Sequence, residues 1–205
     1  MRQETAAQSR RTESFGLRRY LNPLDGCWHV QITQGETHVT SDPQELLTTI
    51  LGSCVAACIR DPSAGIGGMN HFLLPEGDGK DRDALRYGVN AMELLINGLL
   101  KGGASRNNLE AKLFGGANVL PGLSDVGSRN MAFAKQFLGD EQIPIVGGDM
   151  GGTKPRRIQY WPTSGRARQL AMPPIDRIKL VEQELAQSAN MRDTERQEGH
   201  DVELF

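Results

Sequence analysis

Alternation of apolar and polar residues predicts strands along much of the chain. Residues 27–33 alternate over a short strand, and residues 46–59 form an apolar and small-residue stretch. Turn-forming residues at 61–65 separate two apolar runs, 55–59 and 66–74, so we expect a β-hairpin there. Further strands are predicted over 109–114, 143–146, 157–161 and 166–172.

Two helices are predicted between these strands. Apolar residues recur at helical spacing over 85–99, and Gly102-Gly103 ends the pattern. A second helix should cover 128–138, with Ser128 as its N-cap. Strands predominate and do not alternate strictly with helices, so the pattern favours an α+β layered domain over a doubly wound parallel sheet.

The two ends of the chain differ from its middle. Residues 1–25 are polar and charged without clear periodicity, and we expect them to form a flexible extension. Residues 26–174 should form the folded domain. Residues 175–205, which follow Pro173-Pro174, are expected to form a charged amphipathic helix and a polar tail.

Composition narrows the class of protein. The 205 residues are 38% hydrophobic, and 23 Lys and Arg against 25 Asp and Glu leave a net charge of -2. This balance gives no electrostatic reason to expect nucleic acid or an anionic membrane as partner. No apolar run reaches the roughly 18 residues of a spanning helix, and the N-terminus lacks the apolar segment of a secretory signal. With only three cysteines, we expect a cytoplasmic protein without disulfides.

Cys54 is the strongest candidate for a reactive residue. It follows the turn residues Gly52-Ser53 and opens a predicted strand. Glycine lets the backbone approach a ligand closely, and the N–H groups around Gly52 and Ser53 could stabilise an oxyanion. The alternative is a buried cysteine that acts as a small hydrophobic residue.

The predicted hairpin brings His71 close to Cys54. A four-residue loop over 61–64 would pair positions whose numbers sum to 125, which places the two side chains opposite each other on one face. A thiol and an imidazole so placed could share a proton and give a thiolate near neutral pH. A change in the loop would make them diagonal neighbours or separate them onto two faces. Thr48 or Thr49, just upstream, could orient the imidazole, although threonine is also common in strands for its β-propensity.

Two other interpretations of these residues are weaker. A zinc site built on Cys54, Cys58 and His71 would be incomplete unless His29 or His38 joined it. The glycine-rich segment 147–154 has its lysine and hydroxyl in the wrong order for a phosphate-binding loop, and no convincing helix follows it.

Residues 51–75, LGSCVAACIRDPSAGIGGMNHFLLP, resemble the signature of the CheD family of chemoreceptor glutamine deamidases. The likeness spans roughly residues 39–169. Asn70 departs from the pattern, because a small residue is expected before His71, and its side chain could either add a hydrogen bond near the site or face away. The likeness continues in Arg86-Tyr87-Gly88, 111–117, Gly127-Ser-Arg-Asn130 and 149–152.

The resemblance implies a fold, an activity and a set of site residues. The fold would be α+β, a layered α/β/β sandwich with mixed, largely antiparallel strands. The enzyme would hydrolyse glutamine side chains of methyl-accepting chemotaxis receptors to glutamate, releasing ammonia through a cysteine thioester. The family's nucleophile, histidine and supporting threonine fall on Cys54, His71 and Thr48, and the oxyanion would be held near Gly52 and Ser53.

The resemblance also implies partners and excludes cofactors. The partners would be the cytoplasmic helical region of the receptors and, as in some family members, a CheC-type phosphatase that occupies the deamidase site. No metal, organic cofactor, nucleic acid or membrane insertion is expected. One alternative is a non-catalytic adaptor that binds receptors and phosphatase, although the complete Cys–His–Thr set argues against it. Another is a thiol transferase or peptidase that uses the same pair.

Overall fold

Two β-sheets lie face to face, and two helices cover the other face of one sheet. The computed structural model describes residues 11–13, 18–74, 82–119, 126–170 and 172. The strands are β1 (Arg11–Glu13), β2 (Arg18–Leu21), β3 (Trp28–Gln31), β4 (Thr37–Thr40), β5 (Glu45–Leu51), β6 (Val55–Asp61), β7 (Ile66–Asn70), β8 (Glu110–Gly115), β9 (Ile145–Met150), β10 (Arg156–Trp161) and β11 (Arg166–Leu170). The helices are α1 (Arg82–Lys101) and α2 (Val126–Asp140), with a 3-10 turn at Arg106–Asn108.

Each sheet mixes strand directions but is mainly antiparallel. Sheet A has the order β1-β2-β3-β5-β10-β11, and sheet B has the order β4-β7-β6-β8-β9. Within the described strands the parallel pairs are β3 with β5 and β8 with β9. The predicted α+β sandwich with mixed, largely antiparallel strands is therefore confirmed.

The alternating side chains of β6 show how the layers are held together. Val55, Ala57 and Ile59 join the apolar core that packs beneath the helices, whereas Ala56 and Cys58 join the core between the two sheets. Alternation with period two sends successive side chains to opposite faces of a strand. A central strand buried on both faces is therefore apolar throughout, which explains the unbroken small and apolar run of this segment.

Two short strands fall within residues 1–25, which the sequence assigns to an extension. β2 pairs antiparallel with β3, and the guanidinium of Arg19 lies 4.3 Å from the ring centroid of Trp28. Arg19 Nη2 also lies 2.9 Å from Glu45 Oε1. Charged and edge contacts attach this strand to the sheet, so it needs no apolar face. Its sequence therefore shows no apolar periodicity. The predicted C-terminal helix and tail, 175–205, lie outside the described residues.

None of the described helices combines the length and the apolar character that crossing a membrane requires.

Candidate active site

The β6–β7 hairpin has a different register from the predicted one. Asp61 pairs with Ile66, so the loop comprises 62–65 and starts one residue later than expected. The Asp61 carboxylate accepts hydrogen bonds from the N–H groups of Ser63 and Ala64 at 2.8 and 3.0 Å, which keeps Asp61 at the end of its strand. Paired positions therefore sum to 127, and the predicted sum of 125 is wrong.

Cys54 and His71 still share one face of sheet B. The isolated bridge between Val55 and Phe72 continues the same register, so Cys54 is opposite Leu73 and diagonal to His71. A shift by two residues preserves the face of every side chain, and diagonal neighbours have Cα atoms roughly 7–8 Å apart. Both side chains point toward sheet A and are almost buried, with exposed fractions of 6% for Cys54 and 7% for His71.

The Asn70 side chain opens the ladder beside His71. Its Oδ1 accepts a hydrogen bond from Ala57 N at 3.0 Å, and its Nδ2 donates to Ala91 O at 2.9 Å. The side chain thus replaces a backbone acceptor where β7 separates from β6. The backbone of His71 bonds elsewhere: its N–H donates to Glu36 O, and its carbonyl accepts from Gly35 N. Asn70 Nδ2 also lies 3.4 Å from Met92 Sδ of α1, so the side chain lies on the face of sheet B that the helices cover. Of the two expectations for Asn70, the structure therefore has the side chain that faces away from Cys54 and His71.

Thr49, rather than Thr48, contacts the imidazole. Thr49 Oγ1 lies 2.9 Å from His71 Nδ1, and both groups are buried. Thr49 shares its face of β5 with Leu47 and Leu51, which belong to the core between the sheets. Because side chains alternate along a strand, Thr48 points to the opposite face of sheet A. The structure therefore corrects the placement of Thr48 next to His71.

Burial determines the protonation of the histidine. Desolvation lowers the pKa of His71 to about 4, against a smaller upward effect of the nearby Ile32 backbone. The ring is therefore neutral near pH 7. Nε2 is buried and has no hydrogen-bond partner among the described residues. When Nδ1–H donates to Thr49, Nε2 keeps its lone pair and can accept a proton.

The turn that carries Cys54 is held from one side by its carbonyl groups. In a trans peptide the N–H points away from the preceding carbonyl. The N–H groups of Ser53 and Cys54 therefore face away from the donors that bond to the Gly52 and Ser53 carbonyls. The carbonyls accept from three donors: Gly52 O from Ala117 N at 2.8 Å, Ser53 O from Asn130 Nδ2 at 3.0 Å and Cys54 O from Gly116 N at 2.7 Å.

Close approach at this turn requires a glycine. The φ angle of Gly115 is +104°, and a Cβ atom there would lie 2.1 Å from the carbonyl oxygen of Cys54. No other residue type fits this position without moving the turn that carries Cys54. The glycine pair at 115–116 thus brings β8 against the site.

Asn130 of α2 joins the two segments that carry the candidate pair. Besides its bond to Ser53 O, its Oδ1 accepts a hydrogen bond from Leu74 N at 2.9 Å, and the residue is fully buried. Sequence reasoning placed Asn130 in a motif but assigned it no role, because its partners are far away in the chain. One carboxamide therefore fixes the turn that carries Cys54 relative to the segment that follows His71.

Replacing Asn130 by alanine should lower the free energy of unfolding by about 2–4 kcal/mol, because a buried acceptor and a buried donor lose their partner. Denaturant titration of the variant measures this loss. Asn90→Ala is the matched control, because Asn90 is exposed on α1, and it should change stability by no more than about 0.5 kcal/mol. A loss below about 1 kcal/mol for Asn130→Ala would contradict the assigned contacts.

Gln34 is a second site residue that sequence reasoning missed. It lies in the turn between β3 and β4, and its Oε1 is 3.6 Å from Cys54 Sγ, with the thiol as donor. No pattern in the sequence marks it, because the contact spans 20 positions of the chain. Among the described side chains, no group of three or more His, Cys, Asp or Glu is arranged to hold a metal ion.

Several known proteins are similar to this chain. The family model for CheD chemotactic sensory transduction matches residues 73–170. The chain is 65% identical over 142 residues to a Caulobacter sp. (strain K31) protein named probable chemoreceptor glutamine deamidase CheD, covering 68% of this chain and 76% of the relative. A Rhizobium etli protein of the same name is 56% identical over 169 residues, covering 81% and 92%. A Neisseria meningitidis structure of the DUF152 family covers 65% of this chain at 11% identity, with a TM-score of 0.39.

Proposed function

Because this chain belongs to the CheD family of chemoreceptor glutamine deamidases, we propose that it deamidates receptor glutamines and that Cys54 and His71 carry out the reaction. The single observation that supports the pair is its shared position: both side chains point from sheet B into the space beneath sheet A. Burial, a neutral ring and an Nε2 atom without a partner among the described residues suit a general base beside a thiol.

The reaction starts from the neutral pair. Nε2 of His71 takes the thiol proton as Cys54 Sγ attacks the carboxamide carbon of the substrate, and the carbonyl π electrons move to oxygen. In this proposal the N–H groups of Ser53 and Cys54 stabilise this oxyanion, and each such donor typically lowers the barrier by about 3 kcal/mol. His71 then gives its proton to the departing ammonia, which leaves a thioester.

Hydrolysis returns the enzyme to its starting state. Neutral His71 takes a proton from water, the hydroxide attacks the thioester, and the Cys54 sulfur leaves and recovers the proton. The substrate glutamine has become glutamate. In this proposal Thr49 keeps the ring oriented through Nδ1, and no step needs a metal or an organic cofactor.

The threonine that orients the ring can be identified by a pair of variants. Thr49→Val removes the hydroxyl and keeps the shape, so kcat for receptor deamidation should fall about tenfold or more, the equivalent of one buried hydrogen bond. Thr48→Val, on the opposite face of β5, should stay within about twofold of the wild type. The reverse order of effects would restore Thr48 as the supporting residue.

Peptide mass spectrometry of a receptor cytoplasmic domain tests the proposed function. Incubation with this protein should raise the mass of particular glutamine peptides by about 1 Da, with one ammonia released per conversion, because an amide NH₂ is replaced by OH. If the protein binds the receptor and converts no glutamine, it is an adaptor and the proposed function is wrong. Added methylamine distinguishes a thiol transferase, because a transferase would attach the methylamine to the substrate glutamine as a methylamide.

We also propose the location and a second partner. The helical substrate region of the receptors is cytoplasmic, so the protein should act there. A CheC-type phosphatase, which occupies the deamidase site in some members of the family, should slow receptor deamidation competitively when it is added. A rate that is unchanged at saturating phosphatase would exclude this partner at the site.

A further inference from the structure

The side chain of Gln34 lies against the reacting sulfur, and the mechanism above gives it no role. Cys54 Sγ donates a hydrogen bond to Gln34 Oε1 across 3.6 Å, and Gln34 is only partly exposed. The site therefore already holds a carboxamide, the same chemical group as the substrate. Its oxygen, rather than its carbon, faces the thiol, which is the arrangement of a hydrogen-bond partner.

The turn that carries Gln34 is fixed to the histidine. Gly35 N donates to His71 O at 2.7 Å, and His71 N donates to Glu36 O at 3.1 Å. The turn is closed within itself, because Thr33 N donates to Glu36 Oε2 at 2.6 Å. Gln34 thus keeps its place relative to both members of the candidate pair.

A primary amide can serve both protonation states of the sulfur. Its oxygen accepts from the neutral thiol, and rotation about the last side-chain bond by half a turn presents the NH₂ group instead. Hydrogen bonds to an ionised partner are shorter and about twice as strong as neutral ones. The carboxamide of Gln34 therefore favours the thiolate once the proton has left, and it adds no charge to a site whose imidazole is neutral.

We propose that Gln34 is a further catalytic residue, whose carboxamide accepts a hydrogen bond from the Cys54 thiol and donates one to the thiolate as it forms. The proton itself passes from Sγ to Nε2 of His71, and no covalent bond of Gln34 changes. This role deepens the proposed function because it rests on Cys54 as the nucleophile.

Alkylation of Cys54 by iodoacetamide at different pH values tests this role without any receptor. Peptide mass spectrometry separates Cys54 from Cys27 and Cys58. Gln34→Met keeps the length of the side chain and removes the donors, so the pH midpoint of Cys54 alkylation should rise by about one to two units. Gln34→Glu places an anion at the same point, so its midpoint should rise further. Both variants should lower kcat for receptor deamidation more than they change KM.

Gln31→Met is the matched control. Gln31 pairs with Thr48 on the face of sheet A that points away from the sulfur, so its variant should keep the wild-type midpoint. Equal thermal unfolding temperatures of all variants would show that the fold is retained. An unchanged midpoint in both Gln34 variants would overturn the proposal. Conversion of residue 34 to glutamate in the wild type would also overturn it, because the amide would then be a substrate.

The two proposals can fail separately. If the wild type converts no receptor glutamine while the Gln34 variants shift the alkylation midpoint, the deamidase function fails and the role of Gln34 at the sulfur stands. If receptor deamidation is normal in Gln34→Met and the midpoint is unchanged, only the role of Gln34 fails.

Discussion

Replacement of Cys54 by alanine should abolish receptor deamidation, with a loss of at least about 10⁴-fold in kcat, because the proposed thioester forms on its sulfur. The Cys54 side chain is small. Its carbonyl oxygen accepts a hydrogen bond from Gly116 N, and the neighbouring Val55 exchanges two backbone hydrogen bonds with Phe72, so alanine should keep the fold. The measurement is the rate of glutamine-to-glutamate conversion in a receptor cytoplasmic domain, followed by mass spectrometry. The thermal unfolding temperature of the variant confirms that the protein tested is folded.

Cys58→Ala is the matched control for this result. Cys58 points into the same core between the sheets, but it is fully buried, and this burial raises the pKa of its thiol far above the ordinary value. Such a thiol is neither ionised nor accessible, so the control should retain the wild-type rate after allowance for any loss of stability. Full activity in Cys54→Ala, or its loss in Cys58→Ala alone, would show that the nucleophile is assigned wrongly.

The location of the candidate pair was predictable because a register error of two residues does not change which face of a strand a side chain occupies. The loop prediction shifted the hairpin register by two residues, and a shift of two keeps every side chain on its face. Cys54 and His71 therefore remained neighbours, diagonal instead of directly opposed. The threonine had no such tolerance, because moving from Thr48 to Thr49 changes the face of β5 that is used.

Contacts between distant segments were not predictable in the same way. Gln34 reaches the sulfur from a turn before β4, and β4 itself was not predicted because Val39 is its one apolar residue. Asn130 lies on a predicted helix, but nothing in the pattern of α2 indicates that it bonds to Ser53 and Leu74. Periodicity gives the face of a residue within its own element, and the packing of elements determines which groups meet.

Stability should decrease in mild acid because His71 is buried in its neutral form. The unfolded ring binds a proton near pH 6.5, whereas the pKa of the folded ring is about 4, so the unfolded state binds more protons between these values. The free energy of unfolding should therefore fall as the pH drops from about 6.5 to about 4, by about 3 kcal/mol from this residue. Denaturant titrations at a series of pH values measure the decrease.

His71→Asn should remove this part of the acid sensitivity, because asparagine does not titrate. Carboxylates whose pKa is lowered in the folded state, such as that of Asp61 with its backbone hydrogen bonds, lose their stabilisation as the pH falls through still lower values, and they do so in both proteins. The difference between wild type and variant therefore isolates the histidine. His38→Asn removes a histidine that contacts Glu45 and should leave the decrease in place. Equal decreases in wild type and His71→Asn would mean that the ring is not neutral in the folded protein, and the general-base role would then lose its basis.

Activity provides a second readout: a neutral ring down to about pH 5 should keep wild-type deamidation near its plateau there, while His71→Asn should be nearly inactive at every pH.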